Sequence, residues 1–216
     1  MIEIKKVSKK FGNFTAVDQV SLTISRPGIT VLMGPSASGK TTLLRLIAGL
    51  EDPDQGEIRM DKQLVSGKGV KVQPNKRGIG FVFQQPALWP HMRVAENILF
   101  GLAGLSREEQ QQRLRETLAL VDLEQKKNSF PHQLSGGQQR LAAIARALAV
   151  QPQYLLMDEP LANLDKAGRE TMLRFIKELG ADQARYIFYV THDPVEADFL
   201  GGPIAKMREG KIVADE

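Results

Sequence analysis

The 216-residue chain is 42% hydrophobic, long enough to bury a substantial core as one compound domain, and its +4 net charge is scattered, a faint hint at nucleic acid or phospholipid. It has no cysteine, which excludes disulfide frameworks and thiolate metal sites. No run approaches the roughly 18 apolar residues of a spanning helix: Leu141 to Val150 is short and carries Arg146, and Met1 to Val7 alternates without the features of a secretory signal, which favours the cytosol.

The first sixty residues alternate in period two, with Val20, Leu22 and Ile24 on one face, and Ile29 to Met33 forms a continuous apolar run suited to a buried strand. Between Lys40 and Leu50 the period turns helical, carrying Leu43, Leu44, Ile47 and Leu50 on one side before a stop near Gly49. Gly56 to Met60 and Ile79 to Phe83 read as further strands, and the polar segment between them, with Pro74 and several glycines, reads as an exposed loop. From about residue 95 to 150 the character is helical, with Ser106 and Glu109 spaced as a capping box. After Pro152 strand and helix alternate again: Tyr154 to Met157, a helix from Lys166 to Leu179, Tyr186 to Val190, and a last helix. A mostly parallel α/β core follows, and no internal repeat is present.

Gly34-Pro35-Ser36-Ala37-Ser38-Gly39-Lys40-Thr41, followed by Thr42, fits the phosphate-loop pattern between a strand and a helix. Its glycines let backbone N–H groups turn inward around phosphates, the helix N-terminus adds a favourable dipole, Lys40 reaches the β/γ oxygens, and the Thr41 hydroxyl can ligate magnesium. Tyr154-Leu155-Leu156-Met157-Asp158-Glu159 is an apolar strand ending in two carboxylates. Asp158 is expected to face magnesium through water, and Glu159 is the candidate general base.

Leu134-Ser135-Gly136-Gly137-Gln138-Gln139-Arg140 is the most specific feature, and it resembles the signature of ABC ATPases. Read from the residues, Ser135 and Gln138 form a capping box before an apolar helix face of Leu141, Ile144 and Leu148, while Gly136 and Gly137 strip bulk from a helix N-terminus suited to anions. The resemblance spans essentially the whole chain. Phe11 resembles the aromatic on which adenine stacks, Gln84 the glutamine of the Q-loop, which also meets the metal, Leu164-Asp165 the D-loop, and His192 the switch histidine. Taken singly, these could equally be a core aromatic, a polar loop residue, a helix cap and a satisfied strand-end histidine; it is their order that matches. Ala162 stands where many relatives have serine, and Arg93 where threonine is frequent.

What this resemblance implies is a P-loop NTPase (RecA-like) α/β core with an N-terminal antiparallel β subdomain and an inserted α-helical subdomain. Residues 1–88 and 152–216 would form the core with the β subdomain, and 89–151 the helical subdomain. It implies an ATPase using ATP and Mg²⁺, with Glu159, His192, Gln84 and Lys40 catalytic. In such proteins the signature of one subunit closes on ATP held by its partner, so a head-to-tail homodimer is expected. Arg77 to Gln84, Leu88-Trp89-Pro90-His91-Met92 and Ala95-Glu96-Asn97-Ile98 look like import ATPases. Integral permease subunits, met at Gln84 to Phe100, and indirectly a solute-binding protein would then be the partners, at the cytoplasmic face of the membrane. Export and DNA-repair ABC ATPases are the alternatives; repair proteins insert coiled coils or zinc modules, and no nucleic acid is expected. Many relatives add a regulatory C-terminal domain, whereas this sequence stops soon after Glu209 to Val213, so regulation through one is not expected.

Overall fold

The protein is described as a computed structural model covering residues 1–181 and 185–213, so the last three residues assigned to the core lie outside the described ones. Strands β1 (Ile2–Phe11), β2 (Phe14–Ile24) and β3 (Gly28–Met33) precede helix α1 (Lys40–Ala48), then β4 (Gln55–Met60), β5 (Gln63–Gly67), β6 (Val70–Lys71) and β7 (Ile79–Val82). Helices α2 (Val94–Leu99), α3 (Arg107–Leu120) and α4 (Gly136–Ala149) come next. The chain continues through β8 (Tyr154–Asp158), α5 (Lys166–Ala181), β9 (Tyr186–Thr191), α6 (Pro194–Leu200), β10 (Ile204–Arg208) and β11 (Lys211–Val213).

Two sheets form, an antiparallel one in the order β2-β1-β4-β5-β6 and another in the order β11-β10-β3-β9-β8-β7, parallel except for β11. Strands β8 and β9 are covered on both faces, which is why they read as apolar runs without alternation: every residue of β8 is buried. In β1 the alternation changes phase. Ile2 and Ile4 are buried, Lys6 adopts φ 47°, and Val7 then takes the inward place. The pairing with β2 shifts register there, a bulge that bends the strand.

Leu43, Leu44, Leu46 and Ile47 of α1 are sandwiched between the antiparallel sheet and one face of the parallel sheet, meeting Ile4, Val17, Leu32, Leu156 and Phe188. On the opposite face Ile144 and Leu148 of α4, Leu173 and Ile176 of α5, and Ala197 and Leu200 of α6 close over Val31, Leu155 and Ile187. Helices α2, α3 and α4 share a further core through Val94, Ile98, Leu114, Leu118, Ala142 and Ala145. Helix α4 therefore belongs to both packing units and joins them.

The segment expected as a loop before Ile79 is instead a hairpin. Asp61 and Lys62 turn with φ 46° and 70°, the left-handed pair of a two-residue turn, and β5 returns along β4 with Leu64 opposite Arg59. The missing signal was a glycine: this turn uses Asp-Lys, and Val65 is the one fully buried hydrophobic residue of the new strand.

Candidate functional site

The loop from Gly34 to Gly39 leaves the carboxyl end of β3, inside the parallel sheet, where ligands of such sheets sit. Packing forces its glycines. A Cβ on Gly34 would lie 2.1 Å from the Met207 carbonyl oxygen, and one on Gly39, at φ 104°, 2.2 Å from that of Ala16. Ala37 takes φ 63° without being glycine, and Gly210 N–H donates to the Ser38 carbonyl at 3.0 Å. The loop is thus wedged between β10 and β2, and α1 begins without a side-chain cap, leaving its first-turn N–H groups to the cavity.

Lys40 is buried, and its Nζ donates to the Gly34 and Pro35 carbonyls at 2.8 Å each while standing 3.8 Å from Glu159 Oε1. Burial holds this ammonium below the ordinary lysine range, with Glu159 and then Asp158 pulling the other way. Thr41 Oγ1 donates to Asp158 Oδ1 at 3.0 Å. Burial raises the Asp158 carboxyl above its usual range, opposed by that hydrogen bond.

Glu159 follows β8 at φ 42°, a conformation that turns the chain out of the strand and costs a non-glycine residue about 1 kcal/mol or more. Its carboxylate is a meeting point: Oε2 accepts from Gln84 Nε2 at 3.2 Å and lies 3.3 Å from His192 Nδ1, while Oε1 faces Lys40. A cavity of about 270 Å³ opens above, lined by Phe14, Ala16, Ser36 to Thr42, Gln84 and Glu159. The structure thus brings together the loop, Lys40, Thr41, Gln84, Asp158, Glu159 and His192, drawn from separate stretches of sequence.

Two expectations separate from this centre. Phe11 is exposed at the end of β1 and does not line the cavity; Phe14, across the turn and 59% exposed, does. Sequence reading passed over Phe14 and Ala16, although a second aromatic three residues from the first was a usable signal. Ser135, Gly136, Gly137 and Gln138 are likewise absent from the cavity lining. Ser135 caps α4, accepting from Gln138 N–H at 3.2 Å and donating its own N–H to Gln138 Oε1 at 3.1 Å. A Cβ on Gly136 or Gly137 would meet nothing within 4 Å, so this helix terminus faces open space.

A further residue holds the parts in register. Arg140, buried on α4, donates to the Gln84 carbonyl at 2.6 Å and also to that of Ala162, tying the signature helix to the segments on either side of Glu159. Asp165 Oδ1 accepts from Gly168 N–H at 2.8 Å and so caps α5.

A hydroxyl, a carboxylate and an amide oxygen at Thr41, Asp158 and Gln84 are hard-oxygen donors of the kind Mg²⁺ prefers when phosphate supplies the remaining ligands. Among the described residues the buried Ser38 hydroxyl has no partner, and an incoming anion would satisfy it. No cluster of three or more His, Cys, Asp or Glu able to hold a metal exists among the described residues.

A family model described as ABC transporter matches residues 17–162. The chain belongs to the ABC transporter family. This cassette is 47% identical, over 98% of its length, to a spermidine/putrescine import ATP-binding protein of Pseudomonas aeruginosa, and 43% identical over 98% to the Fe(3+) ions import ATP-binding protein of Escherichia coli. It spans 58% and 60% of those relatives, and 89% of a probable sulfate/thiosulfate import ATP-binding protein of Chlorella vulgaris at 43% identity. A dimeric bacterial ABC transporter cassette superposes with a TM-score of 0.88 at 36% identity, covering 100% of this chain and 98% of that one. A post-hydrolysis cassette bound to ADP and Pi gives 0.88 at 35%, covering 100% and 98%. These likenesses give the ABC cassette its fold class, a P-loop NTPase core.

Proposed function

We propose that this ABC cassette binds ATP with Mg²⁺ between two copies of itself and hydrolyses it to drive solute import through integral permease subunits. The observation that supports the reading is the gathering of Lys40, Gln84 and His192 around Glu159 beside the phosphate loop, in a chain where Gly136 and Gly137 at the start of α4 face open space. A second chain arranged head to tail would supply Ser135, Gly136, Gly137 and Gln138 to the nucleotide held by Gly34 to Thr42.

Within that reading each residue has a chemical task. The loop N–H groups and the start of α1 bind the phosphate oxygens, and Lys40 exchanges its two loop carbonyls for them. Either Phe11 or Phe14, 47% and 59% exposed, offers a face for the adenine. Mg²⁺, held through Thr41, Gln84 and Asp158, would offset phosphate charge. Glu159 orients the attacking water and takes its proton as the bond from the γ-phosphorus to the bridging oxygen breaks, while His192 contacts the γ-phosphate.

Import is favoured because the named relatives are import ATP-binding proteins for polyamine, iron and sulfate. No helix among the described residues is long and apolar enough to cross a membrane. The cassette would therefore reach the cytoplasmic face through its permease, with a solute-binding protein engaged indirectly. The docking surface we propose is Gln84 to Phe100, where the Trp89 and Phe100 rings lie 4.2 Å apart and Phe100 is 56% exposed. Reading phosphate release from purified protein with ATP, with and without Mg²⁺, tests the enzymatic part. Mg²⁺-dependent turnover lost in Lys40→Ala is expected; nucleotide binding without turnover in the unaltered chain would overturn it.

A further inference from the structure

Glu196 is a buried carboxylate that the hydrolytic reading leaves without a task. It lies on α6, and its Oε2 accepts from Tyr189 Oη at 2.8 Å and from Thr191 Oγ1 at 2.6 Å, while Oε1 stands 3.9 Å from Arg169 Nη1. An ionised carboxylate only accepts, so it fixes the direction of the Thr191 hydroxyl proton. The lone pairs of that hydroxyl are then free for the N–H of Asp193, which donates to it at 3.0 Å. The span from 191 to 193 is closed into a turn, and His192 is its middle residue.

The other side of the turn is fixed as well. Asp193 Oδ1 accepts from Val195 N–H at 2.9 Å, and Oδ2 pairs with Arg169 Nη1 at 2.9 Å. Arg169 belongs to α5, one turn after Asp165 caps that helix. His192 itself is 55% exposed, and its Nδ1 lies 3.3 Å from Glu159 Oε2. An exposed imidazole with one such contact among the described residues depends on its backbone for its aim.

We propose that Glu196 is a positioning residue for His192, acting through the Thr191 hydroxyl, and that Arg169 ties this turn to the helix that follows Asp165. The proposal rests on the reading of His192 as a γ-phosphate contact. A consequence is that a shift of α5 at the subunit boundary moves the histidine through the Arg169–Asp193 pair.

Thr191→Val removes the hydroxyl and keeps the shape, and Thr191→Ser restores it. With kcat and KM for ATP measured on folded protein, Thr191→Val should lower kcat by on the order of 10-fold or more with KM changed by less than about twofold. Thr191→Ser should recover most of that loss, and Thr191→Val added to His192→Ala should cost little beyond His192→Ala alone. Unaltered kcat in Thr191→Val, or a full additional loss in the double variant, would overturn the positioning role while leaving the ATPase reading intact. Full turnover in His192→Ala would instead overturn the reading on which the proposal stands. Glu196→Leu, which removes the one oxygen that accepts from both Tyr189 and Thr191, should show the same fall in kcat at constant KM, whereas Glu196→Gln, which can keep that acceptor, should retain most of the activity.

Discussion

Asp158 is held in a place that disfavours its own charge. Burial raises its folded-state pKa above the unfolded value, so the unfolded chain releases the proton more readily and the ionised carboxylate opposes folding at neutral pH. That opposition fades as pH falls through the carboxyl range. Asp158→Asn should therefore raise the melting temperature of the nucleotide-free protein at pH 7, by less at acid pH, while weakening Mg²⁺-dependent ATP binding; a lowered melting temperature at both would contradict this. Glu159→Gln keeps the contacts to Gln84 and His192 within reach and removes the base, so ATP should bind as before with turnover down at least about 100-fold, read by nucleotide binding and phosphate release on the same sample. These residues were legible in sequence because motif spacing specifies chemistry. The second aromatic was visible, but its placement relative to Phe11 was not, since which aromatic of a hairpin turn faces a cavity depends on register shifts along the strands.

At the scale of the element, capping chemistry was readable. Ser106 with Glu109 and Ser135 with Gln138 make the boxes their spacing announces, and Ser135→Ala should cost about 1 kcal/mol in chemical denaturation. The stop of α1 was readable, Gly49 capping it at φ 76°, but the side chain that meets its last carbonyls was not. Arg77, buried just before β7, donates to the Leu46 and Ile47 carbonyls at the helix C-terminus, to those of Val65 and Val72, and to Ser66 Oγ. A cation here satisfies orphan carbonyls and opposes the negative end of the dipole of the phosphate-loop helix. Arg77→Met should destabilise the fold by about 2–4 kcal/mol, measured by denaturant midpoint, because several buried acceptors lose their donor. An arginine in a polar segment reads as solvated surface until the hairpin of β5 and β6 folds over it.

On the scale of the whole molecule, α4 joins the helical packing unit to the parallel sheet, and Arg140 connects it to Gln84 and to Ala162 beside Glu159. On the function proposed above, a tilt of the helical unit would be felt at Glu159 through Arg140, and a permease pressing on Gln84 to Phe100 would be coupled to ATP by that route. The alternation of strands and helices made the α/β class legible, whereas the order β3-β9-β8 inside the sheet, which gathers Lys40, Glu159 and His192, is long-range pairing that no local pattern encodes. The separation of signature from phosphate loop makes the central claim testable by mass. Light scattering on Glu159→Gln with ATP and Mg²⁺ should give about twice the 23.9 kDa of one chain, reverting to one chain without nucleotide or with Ser135→Arg added. A species that holds ATP yet keeps the mass of a single chain, or a dimer indifferent to Ser135→Arg, would contradict the head-to-tail sandwich.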